Sequence, residues 1–286
     1  MKFLSRILLA TMLLSVSSFG FPSCPEGQEE NNRTGDCKAI TGINRSTNTQ
    51  HILSSGQGWR FKRSLPVGAK KHGYQVVSGR GCYFRYGRNS ERFEVRPGDC
   101  SRNHYGWDDC ETDRERSELT QTNKRQKEGD EYWYRWSIYL PITHQNIYRT
   151  KLAYAQFHQQ GCEPVFMFQE FDGGYWLNIQ PNINKGIDDD RKLLESKEFV
   201  GKWNDIVVHA RWTKQSNGWF KVWVNGRQST FYEGKTMTCE EIFFKYGIYR
   251  SFISRSSKSE SVTTIAYYDG VVRSNSKEGM FDALLE

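Results

Sequence analysis

The chain has 286 residues and a formal net charge of +7, with 37% apolar and 14% aromatic residues, among them nine Trp and fifteen Tyr. That length suits one large all-β domain with a sizeable core, and the mixture excludes a membrane-embedded protein or a coiled coil. The basic balance points to an anionic partner or simply to a solvated basic surface; no nucleic-acid-binding module is present, which leaves an acidic polysaccharide as the anionic candidate.

The chain begins like a secretory signal. Lys2 and Arg6 are its positive start, Ile7 to Val16 is an apolar run too short to span a bilayer, and Ser18 and Gly20 place cleavage after Gly20. The mature protein is therefore expected to be soluble, monomeric, free of the membrane, and secreted or periplasmic. Residues 21–55 are polar and rich in Asn, Gly, Ser and Thr, and read as an extended leader; residues 56–286 read as the β-domain. Seven cysteines follow the signal: Cys24, Cys37, Cys82, Cys100, Cys110, Cys162 and Cys239. In an exported protein some of them pair, and the odd count leaves at least one over. Local pairings of Cys24 with Cys37, and of Cys82 with Cys100 or Cys110, are expected. No zinc spacing appears and the histidines are scattered, so no metal or other cofactor is expected; a structural calcium on loop oxygens is compatible with the sequence.

Strand patterns dominate from Trp59 onward. Tyr132, Tyr134, Trp136, Ile138 and Leu140 alternate with Trp133, Arg135, Ser137 and Tyr139 until Pro141 stops the run. Tyr175, Leu177 and Ile179 face a core while Trp176, Asn178 and Gln180 face away, and Ile206, Val208, Ala210 and Trp212 make another buried face opposite His209 and Arg211. Asn225-Gly226 predicts a two-residue hairpin turn after the strand Phe220 to Val224, and Thr263 to Val272 reads as a closing strand. The one helical stretch, short and charged, is Asp188 to Lys197. Many strands with hairpin turns predict an all-β jelly-roll sandwich of two antiparallel sheets, of the concanavalin A-like kind, with a concave substrate groove.

Three strand-like segments carry the chemistry: Arg116-Ser117-Glu118-Leu119, Gln156-Phe157-His158 and Phe243 to Arg250. Residues two apart on a strand share a face. Arg116 therefore sides with Glu118, Gln156 with His158, and Lys245 with Tyr249. If these strands are neighbours, a guanidinium, an amide, an imidazole, an amine and a phenol converge on one groove, a set suited to neutralising a sugar carboxylate and moving a proton beside it.

Arg-Ser-Glu-Leu, Gln-Phe-His and Phe-Lys-Tyr-Gly-Ile-Tyr, in this order, resemble the three signature blocks of jelly-roll polysaccharide lyases, the alginate lyases among them. Tyr132 to Pro141, Trp203 to His209 and Gly218 to Gly226 resemble the heparin lyase I-like and glucuronan lyase branch. The likeness covers roughly residues 56–275. Two departures stand out: Arg250-Ser251 where alginate lyases carry Asn-Gln, and Tyr246 where they carry a small residue.

The resemblance implies β-elimination of a glucuronan-, heparin/heparan- or alginate-type polymer. Removing the C5 proton piles charge onto a group already anionic, so fixed donors must stabilise it. Arg116 offers a planar fork, Gln156 an amide, and His158 a donor or a base. Tyr249 is expected to protonate the leaving oxygen, and in a syn elimination to act as base as well, helped by the cations Lys245 and Arg116. Gly247, between Lys245 and Tyr249, is expected to leave room for a sugar ring. Glu118 is expected to orient Arg116, while Lys245, Asn178, Gln180, Trp176 and Arg250 contact substrate; Arg85, Arg88, Arg92 and Arg96 either extend an anionic track or serve solubility. The alternative is a jelly-roll carbohydrate-binding protein without turnover; a two-carboxylate hydrolase is disfavoured, since no paired-carboxylate motif appears.

Overall fold

The computed structural model describes residues 58–79 and 83–281, with the backbone of short strands at 28–30, 37–39 and 52–53. The expected signal peptide, most of the polar leader, and the side chains of Cys24, Cys37 and Cys82 lie outside the described residues. In chain order the strands are β1 (Gln28–Glu30), β2 (Cys37–Ala39), β3 (Ile52–Leu53), β4 (Arg60–Arg63), β5 (Tyr74–Ser78), β6 (Asn89–Val95), β7 (Arg114–Gln121), β8 (Glu131–Tyr139) and β9 (Lys151–Gln159). They continue with β10 (Cys162–Glu170), β11 (Tyr175–Ile179), β12 (Asp189–Leu194), β13 (Trp203–Arg211), β14 (Gly218–Val224), β15 (Arg227–Gly234), β16 (Ile242–Ser251) and β17 (Thr264–Ser274).

Eight strands form one antiparallel sheet in the order β12-β11-β10-β9-β16-β7-β4-β3, and seven form a second in the order β15-β14-β13-β8-β17-β6-β5. The chain passes repeatedly between them, giving the jelly-roll sandwich. Asn225 and Gly226 both have positive φ (48° and 80°) and close the β14–β15 hairpin, the backbone that a two-residue turn of this type requires. The expected helix at Asp188 to Lys197 is instead β12 followed by a single turn, α1 (Ser196–Phe199). Pairing with β11 overrides local helix propensity, and the run of charges suits a sheet edge.

The two sheets meet through aromatic side chains. Trp136 packs edge-on against Phe168 (4.9 Å between ring centres), and Phe157 lies 5.0 Å from Phe244 and 4.9 Å from Tyr134. Tyr134, Trp136, Ile138 and Leu140 are fully buried, as are Tyr175, Leu177, Ile179, Ile206, Val208, Ala210 and Trp212, the faces that the alternation predicts. On β16, Phe244, Tyr246 and Ile248 enter this core. Each such side chain contributes about 1.5–3 kcal/mol by burial. That inward set decides the outward one: Lys245 and Tyr249 face away from the core. The Tyr246 hydroxyl donates to the Glu91 carboxylate of β6 (3.0 and 2.9 Å to its two oxygens), tying the two sheets together beneath the site.

Between Tyr246 and Tyr249 the pairing of β16 with β9 slips by one residue, while its pairing with β7 stays regular. Gly247 sits in this bulge at φ +127°. A Cβ there would run into the Ser117 carbonyl oxygen and, at 2.8 Å, the Phe93 ring. Gly247 is therefore required by the bulge and by the core side of the sheet, and does not serve to open sugar room as the sequence suggested. The buried Tyr268 hydroxyl, 2.7 Å from the Tyr154 carbonyl and 2.9 Å from that of Gly247, satisfies the carbonyls the bulge displaces.

Two disulfides join described residues, Cys100–Cys110 and Cys162–Cys239. The first overturns both expected partners of Cys82. Arg85 pairs with Asp205, and Arg92 and Arg96 both pair with Glu94, all on or beside the seven-stranded sheet and away from the other sheet's open face. These arginines form no anionic track there.

Replacing Gly247 by Ala is expected to cost about 3 kcal/mol through backbone strain and the clash with Phe93. Thermal unfolding measures it: Tm should fall by roughly 10 °C, and an Ala variant as stable as the parent contradicts the bulge described.

Candidate active site

The open face of the eight-stranded sheet carries a cleft of about 650 Å³, within the usual range for a ligand site. Its charged lining is Arg114, Arg116, Lys151 and Lys245 against one carboxylate, Glu163. Register explains why they meet. Arg116 stands opposite Tyr249, Thr120 opposite Lys245, Lys245 opposite Gln156, and Phe243 opposite His158.

Beneath the floor lies a chain of opposite charges. Asp109, fully buried, accepts two hydrogen bonds from Arg116, from Nε (2.6 Å) and Nη2 (2.7 Å). Arg116 Nη1 reaches Glu118 at 3.4 Å, Lys245 Nζ lies 2.5 Å from Glu118 Oε2, and the Gln156 amide donates to the other Glu118 oxygen. Burial alone would raise the Glu118 carboxyl, but Lys245 and Arg116 outweigh it and hold it below its ordinary range. Burial lowers the Lys245 amine, an effect that Glu118 partly offsets.

This geometry corrects two expectations. The Arg116 fork is occupied by Asp109, so a substrate carboxylate would meet only its remaining Nη edge. One of the two amide N–H bonds of Gln156 already belongs to Glu118.

His158 Nδ1 lies 2.9 Å from the Gln159 carbonyl, which can only accept, so Nδ1 carries the proton and Nε2 keeps its lone pair. The ring stacks on Phe243 at 5.2 Å. Burial, and then Lys245, lower its pKa from 6.5 to about 4, leaving a neutral imidazole at ordinary pH.

The Tyr249 hydroxyl accepts a hydrogen bond from Arg114 Nε at 2.7 Å, and the Arg116 guanidinium lies 4.3 Å from the centre of its ring. Burial raises the phenol above its ordinary value, and the cations Arg116 and Arg114 only partly oppose this. Tyr249 therefore rests as a protonated phenol. Of the phenolate-favouring pair expected from sequence, Arg116 lies against the ring, whereas Lys245 is engaged by Glu118 and Arg114 makes the direct contact to the hydroxyl.

The remaining candidates divide. Lys245 and Gln180 line the cleft, Gln180 donating to Asn178. Glu118 is under the floor. Asn178 is buried and donates to Asp188 (2.5 Å) and Asp190 (2.9 Å). Trp176 is half-buried beneath Lys192 and beside Phe171, outside the lining. Arg250 is the clear correction. It is 0% exposed, on the interior side of β16, donating to Val262 and Ser259 carbonyls at 3.1 and 2.7 Å and pairing with Glu115 at 3.3 Å. Strand parity excludes it from the cleft, since Tyr249 already faces there. His209 lies on the outer face of the other sheet, stacked on Trp133 at 4.0 Å.

Sequence reasoning missed Arg114, Asp109, Lys151 and Trp107. Arg114 was within reach of the parity rule, two residues before Arg116. Asp109 and Trp107 come from the loop closed by Cys100–Cys110, whose path no local pattern reveals; Trp107 lines the cleft and donates its indole N–H to Asp109 at 2.9 Å. Among the described residues no group of three His, Cys, Asp or Glu side chains is placed to hold a metal ion.

Comparison with solved structures returns the same fold at low identity. An endo-β-1,4-glucuronan lyase from the fungus Trichoderma reesei superposes with a TM-score of 0.54 at 16% identity, covering 78% of this chain and 96% of that one. Alginate lyase AlgAT5, of polysaccharide lyase family 7, gives 0.51 at 14%, covering 75% and 93%. Alginate lyase A1-II', also of family 7, gives 0.52 at 14%, covering 75% and 93%. No curated protein matches the sequence significantly. The polysaccharide lyase family model matches residues 47–272, most of the chain. On that match the chain belongs to the polysaccharide lyase family, and it is a polysaccharide lyase.

Proposed function

We propose that this lyase is exported, as a monomer free of the membrane, and cleaves a uronic-acid-containing polysaccharide by β-elimination, with glucuronan the first polymer to try. The fold is shared with a glucuronan lyase and with alginate lyases alike, and glucuronan comes first because Tyr246 and Arg250 depart from the alginate lyase pattern. Four cations against one carboxylate in the lining suit a polyanion. Export is supported by the two disulfides and the signal-like start.

One observation carries the mechanism. A single cleft holds a neutral imidazole with its Nε2 lone pair available and a protonated phenol whose oxygen is already engaged by a cation. In the proposed reaction His158 Nε2 takes the C5 proton. The electron pair left behind forms the C4–C5 double bond and expels the C4 oxygen, which takes the Tyr249 proton. Lys245 and the remaining N–H bonds of Arg116 and Gln156 stabilise the carboxylate as charge builds on it. Register sets Tyr249 and His158 apart, opposite Ala153 and Phe243 respectively. Five residues of β9 separate Ala153 from His158, roughly 16 Å of strand. That span is measured along the backbone; C5–H and the C4 oxygen belong to one sugar, so both groups act only where the two side chains reach toward each other across the cleft.

Incubation with glucuronan, alginate, heparin, heparan sulfate and hyaluronan, followed by ultraviolet absorbance, tests the reading. Tyr249→Phe and His158→Ala are each expected to lower kcat by about 10²–10⁴-fold while leaving the unfolding transition unchanged. Tight binding of one polymer with no unsaturated ends from the parent protein would instead favour a binding role.

The pH profile separates the two protonation schemes. Protonating Nε2 removes the base, so kcat/KM should fall only as pH drops through about 4, and hold level across the ordinary imidazole range near 6.5. No loss from Tyr249 ionisation is expected below about pH 10. An acid limb centred near 6.5 contradicts the buried, neutral His158.

A further inference from the structure

We propose that Arg114 is the positioning residue for the acid Tyr249, fixing where its proton points and stabilising the phenolate left after proton transfer. The inference rests on the elimination reading above and adds a residue that reading does not use.

The geometry is specific. Arg114 lies on β7, two residues before Arg116 and on the same face, across from Ser251 and next to Tyr249. Its Nε donates to the Tyr249 hydroxyl at 2.7 Å, and its Nη1 donates to the Thr112 carbonyl. The guanidinium lies 5.4 Å from the ring centres of both Trp107 and Phe252, two more lining residues. A backbone anchor and two aromatic neighbours hold the fork, so Nε cannot easily swing away from the phenol.

Two consequences follow from hydrogen-bond chemistry. A phenol oxygen that accepts from Arg114 has its own O–H directed elsewhere, leaving that proton for a group bound in the cleft. Once the proton has moved, the oxygen becomes an anion, and the same N–H becomes a charge-assisted bond, roughly twice as strong as a neutral one. Stabilisation that grows with the developing charge favours the transition state over the ground state. Arg116 lies against the face of the Tyr249 ring and gives its Nε and Nη2 to Asp109, so the direct contact to the phenol oxygen is that of Arg114. Glu118 on β7 is the further charge that bears on the phenol, while Lys151 on β9, Lys245 on its own strand and Glu163 on β10 line the same cleft.

The test places difluorotyrosine at position 249 and follows it by fluorine NMR, in the parent chain and in Arg114→Met and Arg114→Lys. With Met the titration midpoint of residue 249 should move up by about one pH unit; Lys, which keeps charge but not the fork, should give an intermediate value. Turnover should fall roughly 10²-fold in Arg114→Met carrying ordinary Tyr249. The more acidic difluorotyrosine should recover part of that loss in the Met variant while changing the parent little. An unchanged midpoint, or a loss of turnover that the fluorinated phenol does not relieve, overturns the proposal. The NMR titration needs no substrate. If the parent protein eliminates no uronic polymer yet the midpoint still shifts, the elimination reading fails and the Arg114–Tyr249 coupling stands.

Discussion

A single buried carboxylate, Glu118, is shared by Lys245, Arg116 and Gln156 beneath the cleft, and Arg116 is in turn held by Asp109. A charge taken out of water costs several kcal/mol unless it is paired and hydrogen-bonded. Each member of this cluster is therefore fixed by the others, and none of its four charged members (Glu118, Lys245, Arg116, Asp109) can be removed alone without upsetting the charge pairing of the rest. The cluster joins β7, β9 and β16 with the loop closed by Cys100–Cys110, so the same contacts that make burial tolerable set the relative positions of the four segments. It also sets the protonation of the surface above: Lys245, with burial, keeps His158 neutral, and Arg116 lies against the Tyr249 ring.

Strand parity supplies the second constraint. Phe244, Tyr246 and Ile248 are drawn inward by the aromatic core, which leaves Lys245 and Tyr249 facing the cleft. The Gly247 bulge shifts β16 by one residue relative to β9 without disturbing its pairing with β7. Tyr249 thus stays beside the arginines of β7 while its alignment with β9 changes. A regular ladder would place it one residue differently along the strand that carries Gln156 and His158.

Much of this was legible in the chain itself, for physical reasons that can be named. Alternation reports which side of a strand is buried, so the core faces of β8, β11, β13 and β14 could be read directly, and so could the shared face of Arg116 and Glu118 or of Lys245 and Tyr249. What parity cannot report is the partner of an outward side chain. The sequence shows Arg116 as a cation but not that Asp109 occupies its fork, because Asp109 arrives on a loop whose path is set by a disulfide. The same gap hid the Arg114 contact to Tyr249 and left Gln156 looking free to donate. Arg250 was misjudged for the opposite reason: its charge suggested substrate, while its parity, one residue past Tyr249, already pointed inward to Glu115. The Asp188 to Lys197 segment looked helical because charge and composition are local, whereas the pairing of β12 with β11 is not.

The most direct test of the account is the chemical structure of the ends that cleavage creates. Mass spectrometry of oligosaccharides released from glucuronan by the mature protein distinguishes elimination from hydrolysis, because an eliminated uronic residue at the new non-reducing end is lighter by one water. The account predicts an unsaturated residue at every newly formed non-reducing end, and at most traces of such ends from a Tyr249→Phe variant that still binds the polymer. Saturated uronic acid at those ends would mean that water, not Tyr249 and His158, completes the cleavage, and would contradict it.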